Sequence, residues 1–518
     1  MNRTSALKKI KHKRFHALCS HIVSDMKRLD VPGVSVAVWH GEDVHSAGFG
    51  VTSVDHPLPV TADTLFQVGS ISKTVTATLI MQLVEADKLD LDAPVRTIIP
   101  SLKLADPDVT ERVTTRHLLT HLGGWMGDYF NDYGNGNDAL DKMVKSLTRL
   151  PQITPLGSVW SYNNAGFNIA GRIIEILTKM SYETAARSML LRPIGMHQSY
   201  FYPDDTILTK RFAVGHQKWD GEARVATPWA IGRAANAVGG IVSTVTDLIR
   251  YAQFHSGDGQ GVIDRTALLQ MRTVQTNAGG RGDMGLTWFI RHHDGFSSYG
   301  HGGATKGQKA TFRFVPEKQF AIAVLTNSDD GSIIGDAAVT RAFELFLGVA
   351  PTTPDTIYMS DEALQPYVGR YEYALWSFEV TAENGMLIAQ EISKAGFPKP
   401  ETPAGPPVAP VRLAFIGPDK FISLDEPRKG EIGDFVRNIC ILSRSSAAAF
   451  VCLHVYYAHH THQSREVQRC PTTSTSRPIF CGQHIILNAL HMHLGRPPKR
   501  RRVLGNRPHA THSLRPSA

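Results

Sequence analysis

Ser70 and Lys73 stand three residues apart in Phe66-Gln67-Val68-Gly69-Ser70-Ile71-Ser72-Lys73-Thr74, where a helix-like segment begins. Residues i and i+3 share a helix face, which puts the Lys73 amine within reach of the Ser70 hydroxyl. A serine becomes a useful nucleophile when a neighbouring base takes its proton, and lysine can be that base once desolvation lowers its pKa. The pair therefore predicts a covalent serine enzyme. Spacing alone is a weak signal, because Ser5/Lys8 and Ser24/Lys27 match it in a basic N-terminal stretch. Two polar clusters further along the chain distinguish Ser70 from these copies.

Trp160-Ser161-Tyr162-Asn163-Asn164 precedes a helix-like apolar segment, 165–177. A tyrosine there can act as general base or acid if cations hold its phenol below the usual value near 10. Lys73 is the expected cation. Asn164 is placed to hydrogen-bond both the lysine and a substrate carbonyl. Tyr129-Phe130-Asn131 and Tyr133-Gly134-Asn135 match the same pattern, but they lie in a Gly/Asn/Asp-rich loop with no helix behind it. Gly300-His301-Gly302-Gly303-Ala304 lies just before a hairpin-like segment. Its glycines let backbone approach a ligand closely. The expectation is an edge strand whose Ala304 N–H stands opposite that of Ser70. Two such donors form an oxyanion hole, about 3–4 kcal/mol of transition-state stabilisation each. The plainer alternatives are a helix-capping turn with a packing tyrosine and a turn with a surface histidine. His121-Leu122-Gly123 and His493-Leu494-Gly495 share the His-x-Gly pattern.

The elements that must position these groups are legible in outline. Residues 34–39 and 44–51 flank Gly41-Glu42-Asp43 as a β-hairpin, and 309–315 and 320–326 form a second. A helix-rich stretch runs between them to about Phe254, and 334–347 reads as an amphipathic helix. Strands at both ends around a helical insert predict an α+β protein: an α/β sandwich with one antiparallel sheet and an all-helical half. After a polar linker at 349–361, short strand-like runs over 362–438 predict a small β domain.

The chain has 518 residues, 42% of them hydrophobic, which fits several folded domains. Its net charge of +8 is uneven: residues 439–518 hold 11 Lys+Arg and one acid, Glu466, so the body is near neutral. No nucleic-acid footprint is expected for the body. Residues 1–19 form a basic segment without the apolar run of a secretory signal, and no membrane span is apparent. Four of the five cysteines lie in the tail, so no disulfide framework is expected, consistent with a cytoplasmic protein. The tail, 439–518, is expected to be disordered or an aberrant extension. Its Pro497-Pro498-Lys499-Arg500-Arg501-Arg502-Val503 is similar to a nuclear-import signal, and its Cys/His content raises zinc binding without supplying a Cys-x₂-Cys pair.

In this order and setting, Ser-x-x-Lys at Ser70, Tyr-x-Asn at Tyr162 and His-x-Gly at His301 resemble the serine β-lactamase-related hydrolases. Leu118-Leu119-Thr120-His121 and the run from Asn236 to Thr244 support this resemblance, which covers roughly 20–348. It implies a β-lactamase/transpeptidase-like fold with a small β-barrel-like C-terminal domain. It also implies Ser70 as nucleophile, Lys73 and Tyr162 as coupled bases, and Asn164, His301, Gly303 and Ala304 as substrate-binding positions. No metal or organic cofactor is implied. The implied activity is hydrolysis of small esters or amides, including peptides with D-residues. An acyltransferase of the same fold and a catalytically silent binding protein are the alternatives. Two departures bear on specificity. His301 stands where β-lactamases place a lysine, and a histidine is mostly neutral at pH 7. His121-Leu122-Gly123-Gly124 replaces the more usual Thr-Ser-Gly after the histidine.

Overall fold

The computed structural model describes residues 6–202, 204–229, 231–350, 354–372, 376–395, 403–405, 407–426 and 429–435, with the backbone of Val436 and of Cys452–Tyr456. The expectations for the tail at 439–518 lie outside the described residues, apart from that last strand.

The main sheet joins the two ends of the catalytic region. Strands β1 (Gly33–His40) and β2 (Asp43–Gly50) form the first hairpin, turning at Gly41 with φ +63. After the helical excursion come β3 (Thr276–Asn277), β4 (Asp283–Met284), β5 (Phe289–His293), β6 (Phe296–Thr305), β7 (Gln308–Val315) and β8 (Phe320–Thr326). The order is β2-β1-β8-β7-β6-β5-β4-β3, antiparallel throughout. Alternation along β1 and β8 sorts their side chains onto two faces. Val34, Val36, Val38, Ile322 and Val324 face one core, while Ala37, Trp39, Ala321, Ala323 and Leu325 face the other. Both faces are buried, so these strands read as nearly continuous apolar runs.

Helix α1 (Lys13–Arg28) covers the first face, capped by His12, whose Nδ1 accepts from Phe15 N–H at 3.2 Å. Phe15, Leu18, Cys19, Ile22 and Met26 make its apolar stripe, so the helix runs straight through residue 20. The last residues of the basic segment expected at 1–19 thus belong to the core. Helix Gly331–Ala342 shares that layer through Ile334 and Ala338.

The helical half lies on the other face. Helix α2 (Ser72–Glu85) is buried all round from Ser72 to Met81. Its threonines make this feasible by satisfying their hydroxyls internally. Thr76 Oγ1 lies 2.6 Å from Ala237 O and 2.7 Å from Tyr182 Oη, and Thr78 Oγ1 donates to Thr74 O at 2.8 Å. Around it pack α3 (Asn164–Thr178), α4 (Asn236–Gly239) and α5 (Val245–Ser256).

Past residue 361, strands from Gly369 to Val436, with Cys452–Tyr456, form a seven-stranded antiparallel sheet in sequential order. The sheet curls around Tyr367, Tyr371, Phe378, Leu387, Phe415 and Phe435. It belongs to the same compact unit as the sandwich. Arg28 Nη1 meets Glu426 Oε2 at 2.8 Å, and Asp434 abuts Gly279. Among the described residues no helix is long and apolar enough to cross a membrane.

Candidate active site

Ser70 sits in a tight turn, Gly69–Ile71, that runs directly into α2. Gly69 has φ +51, and a Cβ there would lie 2.6 Å from Ala304 N, so glycine lets β6 close onto the turn. Ser70 is half-buried, and Lys73 is fully buried behind it. Lys73 Nζ donates to Ser70 Oγ at 2.9 Å and to Val238 O at 3.0 Å. Val238 lies on α4, which Asn236 ties down by donating Nδ2 to Glu183 Oε1 at 2.8 Å and to Tyr202 O at 2.7 Å. Burial drives the amine pKa well below its ordinary value, and the Asp128 charge pulls it partly back. The two other Ser-x-x-Lys matches have no such setting: Ser24 and Lys27 are exposed on α1, Lys8 is exposed, and Ser5 lies outside the described residues.

Tyr162 comes to the same hydroxyl. Its phenol hydrogen-bonds Ser70, and Lys73 Nζ lies 4.9 Å from its ring centre. The buried His121 ring stacks on it at 4.3 Å, held by Nδ1 accepting from Asn163 N–H at 2.9 Å. The expectation of a depressed phenol is overturned: burial raises the Tyr162 pKa, outweighing the Ser70 bond and the Arg281 charge. The physical reason is that the phenol is itself fully desolvated, and that penalty on its charged form outweighs the neighbouring cation. The competing Tyr-x-Asn copies bond among themselves, with Tyr129 Oη and Tyr133 Oη 2.8 Å apart and Asn131 Nδ2 donating to Tyr129 Oη at 2.9 Å.

Asn163 caps α3, its Oδ1 accepting from Gly166 N–H at 2.8 Å, and this places Asn164 in the first turn. Asn164 does not bond Lys73 as expected. Its Nδ2 donates instead to Asp128 Oδ1 at 2.6 Å.

Strand β5 pairs with β6 only from Phe296 to Gly300, leaving 301–305 an open edge beside the Ser70 turn among the described residues. A Cβ on Gly303 would sit 1.9 Å from Val68 O and 3.3 Å from Ser70 N. Glycine therefore sets how near the edge comes, and Ala304 remains exposed. His301 is no surface histidine. It is 3% exposed, its Nδ1 lies 2.5 Å from Gly302 O, and its ring centre is 6.2 Å from Tyr162 and 5.1 Å from Phe289. Burial and the Lys73 charge push its pKa down to about 3, so it is neutral, as expected for this position.

Two residues here belong to none of the sequence motifs. Asp128 follows Gly127 and is half-buried, with its pKa raised by burial against the pull of Asn164 and Lys73. Arg281 ends the turn Gly279–Arg281, its guanidinium 5.6 Å from the Tyr162 ring centre and 5.3 Å from Phe289. That turn rests on the C-terminal domain, where the Asp434 carboxylate accepts from Gly280 N–H. The only sequence signal for either is a glycine beside a charge.

The family profile described as Beta-lactamase matches residues 20–343. The chain belongs to this family. Penicillin-binding protein 4 of Amycolatopsis lactamdurans is 34% identical over 66% of this chain and 93% of its own length. Esterase EstB of Burkholderia gladioli is 30% identical over 37% of this chain and 51% of its own length. Among solved structures, SurE superposes with a TM-score of 0.64 at 26% identity, covering 86% of this chain and 99% of SurE. The beta-lactamase-family relatives are serine hydrolases, and this chain shares the beta-lactamase/transpeptidase-like fold of its structural neighbours.

Proposed function

We propose that this protein hydrolyses small esters or amides through an acyl-enzyme on Ser70. The observation that carries the proposal is the fully buried Lys73 amine, 2.9 Å from Ser70 Oγ. Desolvation pushes this amine towards its neutral form, which accepts the serine proton as Oγ attacks the substrate carbonyl. The oxyanion is held by the N–H groups of Ser70 and Ala304. Tyr162, which keeps its proton because burial raises its pKa, relays a proton to the leaving group as the acyl–X bond breaks. Water then adds to the acyl-enzyme by the reverse relay, giving a free acid and restoring Ser70. His301 is buried and neutral and offers no fixed cation to a β-lactam carboxylate. The named esterase among the relatives supports the same direction.

The test is to trap the intermediate. With p-nitrophenyl acetate, mass spectrometry is expected to show an acetyl group on the peptide containing Ser70, and Ser70→Ala is expected to drop turnover to background. An adduct elsewhere, or unchanged turnover in Ser70→Ala, overturns the mechanism.

A further inference from the structure

Val238 O is the second partner of the Lys73 amine, at 3.0 Å, and it governs how that amine faces Ser70. A neutral amine has N–H bonds and a single lone pair. For the lone pair to meet the Ser70 hydroxyl, an N–H must find its acceptor elsewhere, and Val238 O is in place to be it. Yet Val238 lies on α4, a helix of four residues whose closing bond, from Gly240 N–H to Asn236 O, is 3.4 Å long. So short a helix does not hold itself in place. Side chains around it must. Thr76 Oγ1 donates to Ala237 O at 2.6 Å from α2. On the other side Asn236, 1% exposed, donates Nδ2 to Glu183 Oε1 at 2.8 Å and to Tyr202 O at 2.7 Å. Its Oδ1 fits only because residue 240 is glycine, where a Cβ would lie 1.9 Å away.

Glu183, on the short helix Tyr182–Ala186, has both oxygens engaged. Oε1 also accepts from Arg233 Nε at 3.0 Å, and Oε2 accepts from Arg233 Nη2 at 3.1 Å. Such a two-pronged bond fixes the plane of the carboxylate as well as its place. Arg233 is anchored in turn, donating to Asn135 O at 2.6 Å and to Asn137 Oδ1 at 2.8 Å. Burial opposes the Glu183 charge, but the Arg233 and Asn236 bonds outweigh it and hold the carboxyl below its ordinary pKa.

We propose that Glu183 is a positioning residue of the acyl-transfer site: through Asn236 and α4 it sets where Val238 O stands, and so aims the Lys73 lone pair at Ser70. The proposal rests on Lys73 being the base for Ser70. Glu183→Gln keeps the side-chain volume, but its one oxygen serves either Asn236 or Arg233 while its NH₂ group faces the other donor. Asn236→Ala cuts the same link without changing charge.

The test uses the full chain with p-nitrophenyl acetate, at a temperature where melting curves show each variant folded. Both variants are expected to lose about tenfold or more in kcat with KM within about threefold of wild type, because aim matters as the proton moves and not as substrate binds. Val238 O favours the ammonium form of Lys73, so releasing it is expected to move the acid limb of kcat/KM to lower pH in both. An unchanged kcat in Glu183→Gln overturns the proposal, and this holds even if Asn236→Ala does not fold. A loss of kcat with the limb unmoved or raised also overturns it, leaving Glu183 a structural anchor. So does a limb that moves in Glu183→Gln but not in Asn236→Ala, which would be the lost charge acting at a distance. Acylation of wild-type Ser70 by the same ester, read by mass spectrometry, separates the two readings. Without it both fall, and with it only the aiming of Lys73 is at stake.

Discussion

Lys73 is an amine that water would keep protonated, held in full burial with hydrogen bonds to Ser70 Oγ and Val238 O. If neutral Lys73 is the base, kcat/KM rises with pH through its pKa, and that limb falls well below the ordinary lysine value. The negative charge of Asp128 raises the Lys73 pKa, so Asp128→Asn moves the limb to lower pH. An uncharged ester is the substrate to use, because its own ionisation cannot intrude. An unmoved limb would remove Asp128 from the electrostatics of the base. Tyr162→Phe is expected to lower kcat by about 10²–10⁴ while leaving the limb in place, because the phenol stays protonated across that range. Ser70 and Lys73 were legible because a helix guarantees that i and i+3 meet. The direction of the Tyr162 shift was not, since desolvation depends on His121 and Phe289, which come from elsewhere in the chain.

The edge of β6 and the Ser70 turn meet through two glycines, which makes their separation a property of elements. Gly303→Ala puts a methyl where Val68 O now lies, so strand and turn must part. Displacing one oxyanion donor is expected to lower kcat by about 10²–10³, with melting temperature measured in parallel to separate a displaced edge from an unfolded protein. A kcat within threefold of wild type would mean that the edge is not part of the site. The hairpins at β1/β2 and β7/β8 were visible beforehand because apolar strands flank compact turns. The full burial of α2 was hidden, because Thr74, Thr76 and Thr78 look like a polar face until their partners Ile71 O, Ala237 O and Thr74 O are in place. The Gly279–Arg281 turn was likewise invisible as a site element, since its support comes from Asp434, 153 residues downstream of Arg281.

Across the whole molecule, folding buries histidines in their neutral form. His121 and His255 are held well below their ordinary pKa, His293 is pushed down to about 4 and His301 to about 3, each chiefly by burial. The unfolded chain takes up protons on these rings below about pH 6.5 while the native protein does not. Each ring therefore contributes stability that is complete above pH 6.5 and is lost as pH falls towards its native pKa, at about 1.4 kcal/mol per pH unit. Asp336 and Asp434, raised to about 6 by burial, carry the opposite sign: they bind protons more readily when folded and gain stability between about pH 6 and 4. The net curve mixes both, so the diagnostic quantity is a difference between proteins. His255 packs against Tyr251, Phe254 and Trp288, away from Ser70, and its Nε2 lies 3.3 Å from Thr78 Oγ1. His255→Gln keeps a polar group of similar size but removes the titration. Its melting temperature is expected to lie below wild type at pH 7.5, from lost packing, and to close on or overtake wild type as pH falls to 5. A gap that stays constant with pH would show that His255 titrates alike in the folded and unfolded chain, and the sign argued for the buried rings would fall with it.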